Sequence, residues 1–306
     1  MTSRGAVAPI VNAMTIDVED YFQVSAFDAV VSRDEWSTRP SRVVANTERL
    51  LQMFEEAGVT ATFFVLGWVA DRFPGLVAQL ANAGHELASH GYGHRLVYDQ
   101  TPDQFRDDVR RAKAVIEDRS GQRVHGYRAP SYSITRRSLW ALDVLVEEGY
   151  SYDASIFPIR HDRYGIPDAP RHPYVLARRS GSLAEAPPST VRLGGMNLPV
   201  AGGGYFRLLP YWWTRWGIGR VNRQEGRPAI FYLHPWEIDP DQPRLNAGLL
   251  SRLRHYRNLD KTEIRLRQLL AEFRFGTLGA LMTDADRAMP AWAPMGPLAE
   301  TGSNAQ

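Results

Sequence analysis

HELASHGYGH, residues 85–94, ends with His90 and His94, two histidines four positions apart that directly follow a short strand-like run. On its amino-terminal side, residues 73–84 have a proline near a helix start and a glycine where that helix would end. On its carboxyl side, residues 101–121 predict a helix with Thr101 as N-cap and a proline in the first turn. The two histidines are therefore predicted to lie in a loop between a strand and a helix.

The same alternation of strand-like runs and helical periodicity recurs along the chain. Further strand-like runs lie within residues 10–20, 59–66, 124–130, 150–158 and 229–238. This alternation predicts an α/β protein with parallel strands and right-handed crossovers, either a doubly wound sheet or a (β/α) barrel. In both architectures the functional groups collect at the carboxyl ends of the strands.

Three parts of the chain depart from this rhythm. Residues 160–200 are rich in proline, arginine and glycine, and residues 201–213 read AGGGYFRLLPYWW. Both are predicted to form long loops over the carboxyl ends of the strands. Residues 286–306 are predicted to be a flexible tail. One α/β domain over residues 1–285 accounts for the remainder.

Composition excludes several classes of protein. The 306 residues carry a formal net charge of +2 and no cysteine, which excludes disulfides, thiolate catalysis and cysteine-bound metals. Basic residues are interspersed with acidic ones, so no nucleic-acid partner is expected. No apolar run approaches the roughly 18 residues of a transmembrane helix, and no signal-peptide core precedes the first acidic cluster. We therefore expect a cytoplasmic protein.

Two histidines and an acidic cluster could form a metal site. His90 and His94 supply imidazoles, and Asp17, Glu19 and Asp20 follow the first strand. In an extended strand Asp17 and Glu19 point to the same side, and their mutual repulsion favours a bound cation. A pair of surface histidines and a solvated acidic loop remain the alternatives at this level.

Six ordered segments resemble one known family. The segments TIDVEDYF, TFFVLG, GHELASHGYGH, YRAPSYS, YDASIFP and FYLHPWE are similar, in this order, to the motifs of NodB-type polysaccharide deacetylases, carbohydrate esterase family 4. The resemblance covers most of residues 14–240 and implies a deformed (β/α) barrel. From about residue 195 the sequence resembles the branch found beside exosortase/PEP-CTERM exopolysaccharide loci, so we expect a family-specific C-terminal part there.

The resemblance implies one divalent metal ion, most often zinc, with cobalt or nickel as alternatives. His90 and His94 match the two histidine ligands of the family. The usual adjacent aspartate pair is replaced by DVED at residues 17–20. The spacing found in one similar subgroup favours Glu19 as the carboxylate ligand and Asp17 as the general base, with Asp20 as the alternative ligand.

The resemblance also implies roles around the metal. Arg128 would fix Asp17 through a charge-assisted pair, and His234 would protonate the leaving amine. Asp153 would orient His234. A backbone N–H near Tyr132 would stabilise the oxyanion.

Three residues are expected to contact substrate: Tyr132, Leu233 and Trp236. Other positions depart from the family pattern. A serine intrudes at position 131, Pro235 replaces a common aspartate, and residues 155–157 read Ser-Ile-Phe where the family commonly has a tryptophan.

Taken together, the residues and the resemblance predict a metal-dependent hydrolase. It would remove N-acetyl groups from N-acetylhexosamine units of an exopolysaccharide or its precursor by direct attack of water. The alternatives are an allantoinase-like C–N hydrolase of a small amide and a sugar-binding relative without activity. The expected partner is a carbohydrate, and the expected location is the cytoplasm or the periphery of the inner membrane.

Overall fold

Successive side chains of the first strand point alternately to the inside and to the outside of the barrel. The computed structural model describes residues 10–285 and 289–293. In β1 (Val11–Val18), Met14, Ile16 and Val18 pack into the main hydrophobic core, whereas Ala13 belongs to a separate small-residue cluster inside the barrel. Asp17 has the parity of Ala13, so its side chain lies on the interior side.

The strands form one large sheet and one separate hairpin. In sheet order the large sheet reads β10, β1, β2, β3, β4, β5, β7, β6, β12, and β11 pairs with the start of β1. The other strands are β2 Thr62–Val65, β3 Glu86–Ser89, β4 Gly126–Tyr127, β5 Tyr152–Asp153, β6 Tyr174–Arg178, β7 Gly181–Glu185, β8 Thr190–Leu193, β9 Met196–Pro199, β10 Ile230–Leu233, β11 Arg274–Gly276 and β12 Ala291–Trp292.

The sheet curls into a deformed (β/α) barrel. From β10 to β5, and on to β7, neighbouring strands are parallel, as crossover connections require. The two ends of this series meet through Ser189, whose N–H donates to the Ile230 carbonyl at 3.2 Å and whose Oγ accepts the Ile230 N–H at 2.8 Å. A single irregular bridge thus takes the place of a full strand pair.

Helices cover the outside of the sheet, and their ends follow local sequence signals. Gly58 ends α1 in the left-handed conformation, and Thr101 forms a capping box with Gln104 at the start of α4. The helices are α1 Val43–Ala57, α2 Gly67–Arg72, α3 Pro74–Asn82, α4 Pro102–Ser120, α5 Ala141–Glu147, α6 Gly203–Leu208, α7 Tyr211–Arg223, α8 Leu249–Tyr256, α9 Leu259–Glu272 and α10 Leu278–Ala285.

The prediction of long loops over residues 160–213 is wrong for much of that range. β6 and β7 form an antiparallel pair, β8 and β9 form a second hairpin, and AGGGYFRLLPYWW contributes to α6 and α7. Gly194 and Gly195 have φ values of +56° and +81°, which a tight two-residue hairpin turn requires. That glycine pair was the sequence signal for the second hairpin.

The domain boundary at residue 285 stays a prediction. Of the expected tail, 286–288 and 294–306 lie outside the described residues. Within 289–293, β12 pairs in parallel with β6, and the Trp292 ring lies 5.3 Å from that of Tyr174. Across the part of the chain that is described, no helix is long and apolar enough to cross a bilayer.

Gly202 provides a test of how closely the chain packs beside β10. Its φ is +98°, and a Cβ there would lie 1.9 Å from the Tyr232 carbonyl oxygen. We expect Gly202→Ala to lower the free energy of unfolding by about 2–4 kcal/mol through strain and overlap. Gly75→Ala in α3 is the control, because open space surrounds that position. It should raise stability by up to about 1 kcal/mol in the same urea titration. Equal effects of the two changes would contradict this packing.

Candidate metal centre and active site

The polar residues of the site follow the carboxyl ends of neighbouring parallel strands. Asp17 lies near the end of β1, His90 directly follows β3, Arg128 directly follows β4, and His234 directly follows β10. Because these strands run in the same direction, their ends meet at one face of the barrel. The fold therefore gathers side chains that are far apart in sequence.

Glu19, His90 and His94 form a group whose candidate ligand atoms all lie within 4.8 Å of one another. All three side chains are buried. Glu19 Oε2 lies 2.7 Å from His94 Nε2 and 4.0 Å from His90 Nε2. This is the ligand set that the sequence favoured, and it lies at the predicted end of the barrel.

The donor atoms of this group fit a divalent cation. His90 Nδ1 lies 2.8 Å from the Arg128 carbonyl, which fixes the tautomer and leaves Nε2 as a lone-pair donor. Burial lowers the pKa of His90 to about 4, so its imidazole is neutral at pH 7. No described residue makes a well-formed hydrogen bond to the buried Glu19 Oε2. One carboxylate and two imidazoles suit zinc, cobalt or nickel.

Asp20, the alternative ligand, is not part of this group. Its Oδ2 accepts hydrogen bonds from the Ser41 hydroxyl at 2.6 Å and from the backbone N–H groups of Arg42 and Val43. Its Oδ1 accepts the Tyr21 N–H. The carboxylate thus satisfies amide groups at the start of α1, which explains why it cannot also face the histidines.

Arg128 holds Asp17 inside the barrel, as expected. Arg128 is fully buried, and its Nη1 donates to Asp17 Oδ1 at 2.7 Å and to Thr15 Oγ1 at 2.8 Å. Its Nε donates to the Ala154 carbonyl at 3.2 Å. Burial opposes the charge, but the contact with Asp17 raises the pKa of Arg128 above its usual value. The guanidinium therefore fixes the position of one Asp17 oxygen.

His234 is oriented by Glu237 and not by Asp153. His234 Nδ1 lies 2.6 Å from Glu237 Oε1, and Arg207 Nε donates to the other oxygen of the buried Glu237. His234 Nε2 lies 3.7 Å from both Asp17 Oδ2 and Glu19 Oε1. Burial lowers the pKa of His234, but Glu19, Glu237 and Asp17 outweigh it and raise the pKa to about 9.

The prediction that Asp153 orients His234 is wrong, because the Asp153 side chain lies on the face of β5 that points away from the barrel interior. Its neighbours Tyr152 and Ala154 belong to the interior cluster, and alternation sends Asp153 outward, opposite Glu185 in β7. Burial raises the pKa of Asp153 to about 6 and, with the charge of Asp153, raises that of Glu185 well above its usual value. The two carboxyl groups form a buried acid pair away from His234.

The expected oxyanion donor is a backbone N–H near Tyr132, and the N–H of Tyr132 itself is engaged elsewhere. The Tyr132 N–H donates to the Ala129 carbonyl at 3.0 Å, in a turn where Tyr132 has a φ of +53°. The ring packs against Phe157 and Tyr232, beside the guanidinium of Arg128. Tyr132 thus shapes an aromatic wall, and its amide is committed to the turn.

The two other expected substrate-contacting residues differ in position. Leu233 packs in the main core, since alternation along β10 sends Tyr232 and His234 inward and Leu233 outward. Trp236 is in the site, but its Nε1 donates to Glu19 Oε1 at 3.1 Å. Its ring also stacks against His234 at 5.2 Å. Trp236 is therefore placed to orient the candidate metal ligand.

Glu237, Arg207 and Tyr232 are site residues that the sequence analysis missed. A signal for Glu237 was present, because His234, Pro235 and Glu237 occupy the N-cap, N1 and N3 positions of a capping box. Nothing local to Arg207 indicates its partner, since it lies 30 residues from Glu237.

Fold and site together define a (β/α)-barrel protein with a buried candidate metal centre and a neighbouring carboxylate and histidine at the carboxyl ends of its strands. Comparisons with known proteins agree with this class. Residues 27–150 match the polysaccharide deacetylase family model, and residues 154–283 match a domain of unknown function (DUF3473). Residues 27–150 of the chain are thus similar in sequence to polysaccharide deacetylases.

Curated relatives match only part of the chain. The peptidoglycan-N-acetylglucosamine deacetylase of Bacillus cereus is 27% identical over 119 residues, covering 35% of this chain and 43% of that protein. The peptidoglycan deacetylase of Helicobacter pylori is 30% identical over 108 residues, covering 35% of this chain and 36% of that protein. The chain thus spans less than half the length of these relatives.

A solved structure shows the same fold over almost the whole chain. A protein from Mycobacterium smegmatis assigned as a polysaccharide deacetylase has a TM-score of 0.62 and 21% sequence identity. The match covers 95% of this chain and 100% of that one.

Direct metal binding tests the ligand group. Purified protein should bind one zinc ion per chain, and Glu19→Gln or His94→Ala should weaken binding by at least about 100-fold, because each removes a ligand. Asp20→Asn is the matched carboxylate control. It should keep the metal and lower the free energy of unfolding by no more than about 2 kcal/mol through its contacts with α1. Isothermal titration calorimetry on the wild type and the three variants measures zinc binding, and urea titration measures the free energy of unfolding. Loss of zinc in Asp20→Asn with retention in Glu19→Gln would reverse the assignment.

Proposed function

We propose that this protein is a metal-dependent N-deacetylase that acts on N-acetylhexosamine units of an exopolysaccharide or its precursor. The observation that carries the proposal is the convergence of Asp17 and His234 beside the Glu19, His90 and His94 group, where His234 Nε2 lies 3.7 Å from both Asp17 Oδ2 and Glu19 Oε1. The names of the relatives support the class of substrate, since two of them are peptidoglycan deacetylases. A complete acid–base set also favours catalysis over a sugar-binding role alone.

The residues divide the chemistry of amide hydrolysis among them. When bound, a divalent ion supplies Lewis acidity, which polarises the acetamide and acidifies a water molecule. Asp17 accepts the proton of the attacking water, while Arg128 keeps the carboxylate oriented. His234 donates a proton from Nε2 to the departing nitrogen. Acetate and a free amine on the sugar are the products.

The environment of His234 suits a general acid. Its side chain is 18% exposed, against 3% for Asp17, so it is the member of this pair that an incoming substrate can reach. Glu237 accepts a hydrogen bond from the Nδ1–H group of His234 and stabilises the charged imidazolium. The raised pKa keeps the proton on His234 at neutral pH.

The finer parts of the proposal go beyond the family. Zinc as the native ion, an exopolysaccharide as the substrate, the exosortase-associated branch and a cytoplasmic location all stay predictions. The ion, the substrate and the location can be tested separately, by metal content after purification, by the glycan from which acetate is released, and by cell fractionation.

Acetate release from N-acetylglucosamine oligomers tests the activity. We expect zinc-loaded protein to release acetate and a chelator to stop the reaction. Asp17→Asn should lower kcat by roughly 10²–10⁴-fold, because the general base is lost, while zinc binding in calorimetry stays intact. A rate within a few-fold of the wild type would show that Asp17 is not the base.

The dependence of kcat on pH tests the pairing of His234 with Glu237. A general acid works only when protonated, so its contribution is present at low pH and is lost as pH rises through the pKa of His234, which the neighbouring carboxylates raise. Glu237→Gln removes a negative charge beside the ring and should move this alkaline limb to lower pH by about one unit or more. Asp153→Asn is the control and should leave the limb in place, because Asp153 does not contact His234. A shift of the alkaline limb in Asp153→Asn but not in Glu237→Gln would show that Asp153, and not Glu237, is the partner of His234.

A further inference from the structure

Helix α8 exposes an apolar face to solvent. Leu249, Leu250 and Leu253 are 73%, 60% and 52% exposed. Their spacing places them on one side of the helix. Exposed leucines are ordinary when scattered singly, but three adjacent ones on one short helix form a patch that indicates a binding surface.

Positive charge surrounds this patch. Arg252 and Arg254 are exposed on the same helix, and Arg257 is exposed just beyond its end. Residues 249–259 contain no acidic side chain. Among the residues that the structure describes, these three arginines form no ion pair. The face therefore combines apolar side chains with uncompensated cationic ones.

The opposite side of α8 is attached to the candidate active site. His255 stacks on Trp236 with ring centroids 4.1 Å apart. Arg207 Nη1 donates to the carbonyls of Arg254, His255 and Arg257 while its Nε holds Glu237. The exposed leucines therefore lie on a helix whose inner side is fixed to the residues that orient His234.

We propose that the outer face of α8 docks on a lipid surface with anionic headgroups. Leucines flanked by arginines suit this occupant, because the apolar side chains enter the boundary of the acyl region while the guanidinium groups meet lipid phosphates. Resting on the proposed function, this docking would present the site to a saccharide held at a membrane.

A second copy of this chain fits the surface less well. The three leucines expose on the order of 300 Å², whereas a standard interface buries about 800 Å² per partner. Pairing two α8 helices would also bring their arginines together. Charge and area therefore favour an anionic lipid surface over self-association.

Vesicle co-sedimentation tests the proposal without using activity. We expect binding to vesicles of phosphatidylethanolamine and phosphatidylglycerol that weakens with salt, and little binding to phosphatidylcholine alone. The triple variant Leu249→Ser, Leu250→Ser, Leu253→Ser should lose more than about tenfold in affinity, because the apolar contact is removed. Arg252→Gln should lose about fivefold.

Met196→Ser is the matched control, since it removes a side chain that is 64% exposed on β9, away from α8. It should bind vesicles like the wild type. Failure of the wild type to bind, equal binding to neutral vesicles, or unchanged binding of the triple variant would each overturn the proposal. A dimer of the wild type in sedimentation velocity that is lost in the triple variant but kept in Met196→Ser would also overturn the proposal. Acetate release from soluble oligomers should persist in the triple variant, so failure to dock is distinguishable from failure of the deacetylase proposal.

Discussion

The burial of one guanidinium group is the constraint on which the site depends. Arg128 is fully buried, and its charge would be strongly destabilising there without partners. Its bonds reach Thr15 and Asp17 on β1 and the carbonyl of Ala154 after β5, and its guanidinium lies 4.1 Å from the Phe64 ring on β2. Several strands therefore have to keep their register for the charge to remain paired. The same arrangement fixes Asp17, and alternation along the chain then brings Glu19 to the same side.

Two histidines of the site, buried His90 and partly exposed His234, carry opposite protonation states because their partners differ. His90 faces a backbone carbonyl, and burial lowers its pKa to about 4, which suits a neutral metal ligand. His234 faces a carboxylate, and the surrounding acids raise its pKa to about 9 despite burial, which suits a proton donor. Environments that separate the pKa values of like residues are typical of acid–base sites. Glu237, held in place by Arg207, therefore contributes to the protonation state of His234.

Sequence patterns predict the parts of this structure that depend on local periodicity. Alternation of strands and helices predicts the barrel, and strand ends predict where Asp17, His90, Arg128 and His234 gather. The direction of a single side chain is harder to predict from the sequence, because it depends on which face of the strand that residue occupies. Asp153 on β5 and Leu233 on β10 leave their strands on the face away from the interior, and the Tyr132 N–H is bonded within its own turn. The bond between Arg207 and Glu237 depends on tertiary packing, which no short motif encodes.

The two family matches divide a site that neither contains in full. Residues 27–150 supply His90, His94 and Arg128, whereas residues 154–283 supply His234, Glu237 and Arg207. Asp17 and Glu19 precede both matched ranges and lie on or just after β1, which pairs with β2 on one side and β10 on the other. Residues 154–283 thus supply two strands of the barrel series, β7 and β10, together with His234 and the pair that orients it. Asp17 and Glu19 are two residues apart and face the same side, so β1, paired with β2 and β10, brings both carboxylates to the side chains that the two matched ranges supply.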